Sequence, residues 1–120
     1  MGFDLDEVAS QIQRFSDDRD WGQFHTLKNL SMALSSEVGE LAEITQWMTD
    51  GEVAILLGTP EGRARVQEEV ADVAIYLLRI CQVTGFDLSD AVRQKISLNE
   101  VKYLVEQSKG SSTKYTEWNK

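Results

Sequence analysis

Thr26-Leu-Lys-Asn-Leu30-Ser-Met-Ala-Leu34-Ser-Ser-Glu37-Val-Gly-Glu40-Leu41-Ala-Glu-Ile44-Thr-Gln-Trp47-Met48 is the stretch on which the fold turns. Leu27, Leu30, Leu34, Val38, Leu41 and Met48 recur at helical spacing, so the segment reads as one long amphipathic helix. Thr49-Asp50-Gly51 reads as its end, and the apolar run Val53 to Leu57 that follows has no firm assignment. Upstream, Asp4 is an N-cap with Glu7 as its capping-box partner, and Phe3 and Val8 stand where a hydrophobic staple would. Leu5, Val8, Ile12 and Phe15 then continue a helix that fades in Ser16-Asp-Asp-Arg-Asp20. Downstream, Thr59-Pro60 reads as an N-cap followed by proline at the first helical position. That third main helix carries Val66, Val70, Val73, Leu77 and Ile80 and stops at Gly85. Asp87 caps a fourth, with Leu88, Val92, Ile96 and Tyr103 facing inward. The chain is therefore expected to be all-α. Four main helices form a single domain over residues 1–108, and a flexible tail follows over residues 109–120.

Composition narrows the function. Twenty acidic against twelve basic residues give a formal charge of −8 in a chain of 120 residues. A dedicated nucleic-acid binder needs a basic face, so that class is set aside. A polyanionic ligand remains compatible if metal cations come between it and the protein. No apolar run reaches the roughly 20 residues of a membrane span. The start, Met-Gly-Phe-Asp-Leu-Asp-Glu, is acidic where a secretory signal is basic and then apolar. The single cysteine, Cys81, allows no internal disulfide, and the chain is expected to be cytoplasmic. With His25 the only histidine, neither a zinc cage nor a ferritin-like di-iron site can be built.

Acidic pairs three residues apart arise freely in so acidic a chain, so the helical face decides which matter. With Leu34 at the centre of the long helix's stripe, Glu37 falls at about −60° and Glu40 at about −120°, while Glu43 lands opposite. With Val73 as centre of the third main helix, Glu69 lies at about −40°, Tyr76 at about −60° and Asp72 at about −100°. Four carboxylates, Glu37, Glu40, Glu69 and Asp72, thus lie in or beside surfaces that face other helices. A buried ionised carboxylate is costly unless something positive compensates it. Arg79 and Lys28 are the nearby cations and are too few for four acids. Two readings follow. Either the acids pair locally at helix edges, or they hold a hard divalent cation, magnesium or manganese in its place.

Lys95, Asn99 and Lys102 form a polar, cationic strip on the fourth main helix, suited to a phosphate chain or simply to solvent. Trp21, Trp47 and Tyr76, with His25, could stack on a base or serve as core and interface residues. Gly110-Ser-Ser-Thr-Lys114 does not match a phosphate-binding loop, and no strand precedes it.

Taken in order, Arg19-Asp-Trp-Gly-Gln-Phe-His25, Lys28-Asn-Leu30, Glu37-Val-Gly-Glu-Leu-Ala-Glu-Ile-Thr-Gln-Trp47, Thr49-Asp-Gly-Glu52, Gln67-Glu-Glu-Val-Ala-Asp-Val-Ala-Ile-Tyr-Leu77 and Ser112-Thr-Lys-Tyr-Thr-Glu117 resemble the MazG-like nucleotide pyrophosphohydrolases. Within them the chain is most similar to the dCTP pyrophosphatase branch and its small integron-cassette relatives. The resemblance implies a MazG-like helical bundle paired as tight dimers, often a dimer of dimers. It also implies magnesium-dependent hydrolysis of a nucleoside triphosphate to the monophosphate and diphosphate, as house-cleaning of the nucleotide pool. It assigns magnesium to Glu37, Glu40, Glu69 and Asp72, the nucleoside to Trp21, His25, Trp47 and Tyr76, and phosphate or sugar contacts to Lys95 and Asn99. Lys102, Lys109 and Lys114 are further phosphate candidates. The chain departs from the branch at Ile12, beside Gln13, where some members carry a base-contacting histidine, and after Asn99, where Glu-Val-Lys-Tyr is less basic.

A triphosphate carries about four negative charges, and the carboxylates alone would repel it. A divalent cation reverses the local sign, and Glu40 or Glu69 is the candidate general base. The competing class is a non-catalytic acidic helical module for oligomerisation or interaction, in which the acids are salt-bridge partners.

Overall fold

Side-chain caps set where the helices start. In the computed structural model, which describes residues 4–110, Asp4 accepts the Glu7 amide at 3.0 Å and opens α1 (Leu5–Asp18). Thr26 does the same for α2 (Leu27–Thr45) through the Asn29 amide, and Asp87 for α5 (Leu88–Lys102) through the Asp90 amide. Thr59 caps α4 (Pro60–Thr84), with Pro60 in the first turn as expected. Each cap satisfies an amide that the helix itself leaves unpaired. Gly85 ends α4 in the left-handed region, φ 80°, with its amide on the Cys81 carbonyl at 2.9 Å. At α1 only one half of the expected box is present, and Phe3 lies outside the described residues.

One helix was not legible as such. Thr49-Asp50-Gly51 does not merely end α2. Thr49 and Glu52 form a reciprocal capping box, at 3.2 Å in each direction, that starts α3 (Asp50–Leu57). The stop of one helix and the start of the next share the same residues. Gly62 then lets α4 pass close to the end of α3, since a Cβ there would meet the Leu56 carbonyl oxygen at 2.0 Å.

The described residues contain no strand, and the all-α expectation holds. Two compact units are present, divided between Gly85 and Phe86. In the first, α2 packs along α4, and α1 and α3 also lie against α4. A 3-10 turn, Trp21–Phe24, joins α1 to α2. The second unit holds α5 and the short α6 (Val105–Ser108), and residues 111–120, with Lys114 and most of the expected tail, lie outside the described residues. No helix among the described residues is long and apolar enough to cross a membrane.

The buried seam differs from the expected stripes. On α2 the interior line is Leu30, Glu37, Ile44, seven residues apart, while Leu27 and Val38 are exposed. On α4 the interior residues are Gly62, Leu78 and Arg79, whereas Val70 and Leu77, expected inside, are exposed. Val92 and Ile96 of α5 and Tyr103 just after it are exposed as well, and Leu88 is half-buried. These helices carry apolar residues on more than one face, and within one chain only one of those faces is covered.

Candidate active site

Because the seam of α2 runs through Leu30 and Ile44, Glu37 is carried between two fully interior side chains. Glu69 faces it from α4. One oxygen from each of Glu37, Glu40 and Glu69 lies within 4.8 Å of the other two. Glu37 Oε2 and Glu69 Oε2 are buried, and neither has a hydrogen-bond partner among the described residues. As two carboxylates they cannot donate to each other, so a shared proton or a cation must supply what is missing.

The charge of Asp72, one turn beyond Glu69, adds to this crowding. Burial, the sharing of a proton with Glu69 and Glu40, and the charges of Glu40 and Asp72 raise Glu37 from 4.5 to about 7. Burial raises Glu69 too, offset when Glu37 carries the shared proton and reinforced by Glu40 and Asp72. Arg79, a candidate partner for these acids in the sequence, does not serve them. Its guanidinium is committed to His25, Gln13 and Gln82. The ion pair found among the described residues, Arg93 with Asp90, lies on α5. An all-oxygen donor set with buried, unpartnered oxygens and no ion pair among the described residues fits a hard divalent cation.

The sign of the Glu37 shift gives a test. Between its ordinary value and about 7 the folded chain keeps a proton that the unfolded chain has released. That stabilising contribution is complete below the unfolded value and is lost as the pH rises through the folded one. The melting temperature of the metal-free protein is therefore expected to fall between about pH 5 and about pH 8, while stabilisation by magnesium grows over the same window. Thermal melts with and without magnesium at several pH values check this. A magnesium effect that ignores pH would contradict it.

Beside the acids, a cavity of about 440 Å³ is lined by Val8, Gln11, Ile12, Phe15, Ser16, Trp21, His25, Asp72, Ile75, Tyr76 and Arg79. Trp21 reaches it because Asp20 adopts the left-handed region at φ 53°, held by Gln23, whose side-chain amide donates to both its carbonyl and its carboxylate. Aspartate tolerates that conformation better than most residues. The Trp21 ring stands edge-on to Phe15, centroids 5.5 Å apart, and to His25 at 6.2 Å.

The sequence candidates thus separate into groups. Glu37, Glu40 and Glu69 converge, and Asp72 joins them to the cavity that Trp21, His25 and Tyr76 line. Trp47 does not line it and is 88% exposed just beyond α2. Lys95, Asn99, Lys102 and Lys109 belong to the second unit, Lys95 and Lys109 exposed and the other two half-buried. Ile12, the point of departure, is on the cavity wall. Gln13, Phe15 and Gln82 were missed. For Gln13 and Gln82 the signal was polar side chains on helical stretches whose neighbours are apolar.

The MazG-like family matches residues 32–118. dCTP pyrophosphatase 1 of Homo sapiens is 43% identical over 113 residues, covering 94% of this chain. The Rattus norvegicus protein of the same name is 42% identical over the same length. This chain spans 66% of the length of each of these two relatives. A crystal structure of a pyrophosphatase from Archaeoglobus fulgidus superposes with a TM-score of 0.77 at 39% identity, covering 87% of this chain and 95% of that one. With most of its length matched by the family, and with facing helices that bring Glu37, Glu40 and Glu69 together, the chain belongs to the MazG-like family.

Proposed function

We propose that the protein is a divalent-metal-dependent nucleoside triphosphate pyrophosphohydrolase that converts dCTP, or a related or modified deoxynucleotide, to the monophosphate and diphosphate. The observation that carries this reading is the pair of buried, unpartnered oxygens on Glu37 and Glu69 beside an aromatic-lined cavity. The names of the relatives support the same chemistry. Glu37, Glu40, Glu69 and Asp72 would hold the cation, magnesium with manganese as substitute, which supplies neutralisation of the phosphate charge and polarisation of the phosphoryl oxygens. Trp21 and Tyr76 enclose the base and exclude water from one side of the ligand. Glu40, exposed where Glu37 and Glu69 are half-buried, takes the proton of the attacking water as the bond between the α- and β-phosphates breaks. The roles of Trp47 in the nucleoside pocket and of Lys95, Asn99 and Lys102 on the phosphates are part of the proposal and rest on the sequence resemblance.

The protein works as a homo-oligomer in this reading. Leu27, Val38, Val70 and Leu77 are exposed on the two helices that carry the acids, and a second copy of the chain would cover them. The competing non-catalytic module loses its support, because its acids were to be salt-bridge partners and those of the cluster have none among the described residues. Incubation with dCTP and magnesium is expected to release dCMP and pyrophosphate in equal amounts. Absence of turnover across ordinary and modified deoxynucleotides, with magnesium and with manganese, would refute the assignment.

A further inference from the structure

We propose that Arg79 is a positioning residue that fixes His25 as a neutral ring protonated on Nε2, so that the wall formed by these two residues offers a base only hydrogen-bond donors. The inference rests on reading the cavity as a nucleoside pocket. Arg79 is 4% exposed, deep for a guanidinium, and no carboxylate is among its hydrogen-bond partners. Its Nε donates to His25 Nδ1 at 2.8 Å, and its Nη1 donates to Gln13 Oε1 at 2.9 Å and to Gln82 Oε1 at 3.0 Å.

A guanidinium has five N–H groups and no acceptor. The His25 nitrogen that faces it must therefore carry a lone pair, and in a neutral imidazole the proton is then on the other nitrogen. A protonated ring would set N–H against N–H. Both glutamines are oriented from their far ends, which settles which of their atoms Arg79 meets. Gln13 Nε2 donates to Asp17 Oδ1 at 2.9 Å, and Gln82 Nε2 donates to the Ala9 carbonyl. Their oxygens are left for Arg79. Burial first, and then the Arg79 charge, lower the His25 pKa, in keeping with a neutral ring. The turn that carries His25 is closed by its own amide on the Gly22 carbonyl at 3.2 Å.

The nitrogen remaining for a ligand is Nε2, a donor. Arg79 Nη2 makes no hydrogen bond among the described residues, and both residues line the cavity. Two donors on residues that line one cavity, with no acceptor beside them on either side chain, suit the adjacent carbonyl oxygen and unprotonated ring nitrogen of a cytosine. A thymine or uracil presents an N–H at the second position and meets donor with donor.

His25 is the only histidine in the chain, so long-range proton–nitrogen correlation on uniformly nitrogen-15-labelled full-length protein reads its tautomer without ambiguity. The ligand-free protein at neutral pH is expected to show Nδ1 bare and Nε2 protonated. In Arg79→Lys the tautomers mix, KM for dCTP rises about tenfold with kcat within about twofold, and the preference for dCTP over dTTP shrinks. A wild-type ring protonated on Nδ1 or on both nitrogens would overturn the proposal, and so would an Arg79→Lys protein with unchanged KM and unchanged tautomer. If Arg79→Lys fails to fold, the wild-type spectrum decides alone. If the protein turns over no nucleotide, the proposed activity falls while the spectrum still tests the role of Arg79.

Discussion

Glu69→Gln lowers the turnover of dCTP by at least about a hundredfold, since even partners one step removed from a metal cost 10–100-fold when changed. The substitution keeps the shape of the side chain and removes its charge. It takes one of the three clustered oxygens that lie within 4.8 Å of each other out of use as an anionic ligand. The folded protein without metal is expected to melt at the same temperature as the parent or higher. The reason is that Glu69 makes Glu37 harder to ionise, and an amide at position 69 gives the buried Glu37 oxygen a donor. Stabilisation by magnesium shrinks in the same variant. Kinetic assays and paired melts with and without magnesium read all three effects. Full magnesium-dependent activity in Glu69→Gln would remove Glu69 from the site.

Leu30→Ala acts on the frame. Leu30 is 2% exposed, the most completely buried large side chain among the described residues. Removing a buried leucine to alanine costs about 2–5 kcal/mol through lost transfer energy and the cavity left behind. Against a typical total of about 5–15 kcal/mol, that is a large fraction of the stability of a small domain. A fall in melting temperature of at least about 8 °C is expected, with the denaturant slope unchanged. Urea titration checks both. A loss below about 1 kcal/mol would show that the seam can collapse around the gap. The contrast between the two substitutions is informative, because Leu30 and Glu37 share one line on α2, yet one loss strikes the fold and the other kind strikes the chemistry.

Much of this was readable from residues alone, for a local reason. The caps at Asp4, Thr26, Thr59 and Asp87 act within three positions of themselves, so the helix starts they set needed no knowledge of the tertiary structure. The start at Thr49 was equally local and was misread because a threonine, an aspartate and a glycine also form a natural stop. The stripes were placed less well. Summing apolar directions on α2 points toward Leu34, between a covered face bearing Leu30 and Ile44 and an exposed one bearing Leu27 and Val38. The convergence of Glu37, Glu40 and Glu69 survived that error because Glu37 and Glu69 lay within a quarter-turn of the expected centres, and Glu40, about a third of a turn from Leu34, lies nearer the covered face of Leu30 and Ile44. The partners of Arg79 could not be read, since His25 is 54 positions away and nothing in the local pattern distinguishes a guanidinium bound for an imidazole from one bound for a carboxylate.

The 3-10 turn from Trp21 to Phe24, hinged on the left-handed Asp20, has an evolutionary consequence. Trp21 and His25 stand on this connector and its edge, while Glu37, Glu40 and Glu69 stand on the two long rods. Mutational drift in the connector can therefore retune which ring is admitted without disturbing the oxygens that meet the phosphates. Descendants of one ancestral scaffold could diversify in diet while inheriting a single chemistry.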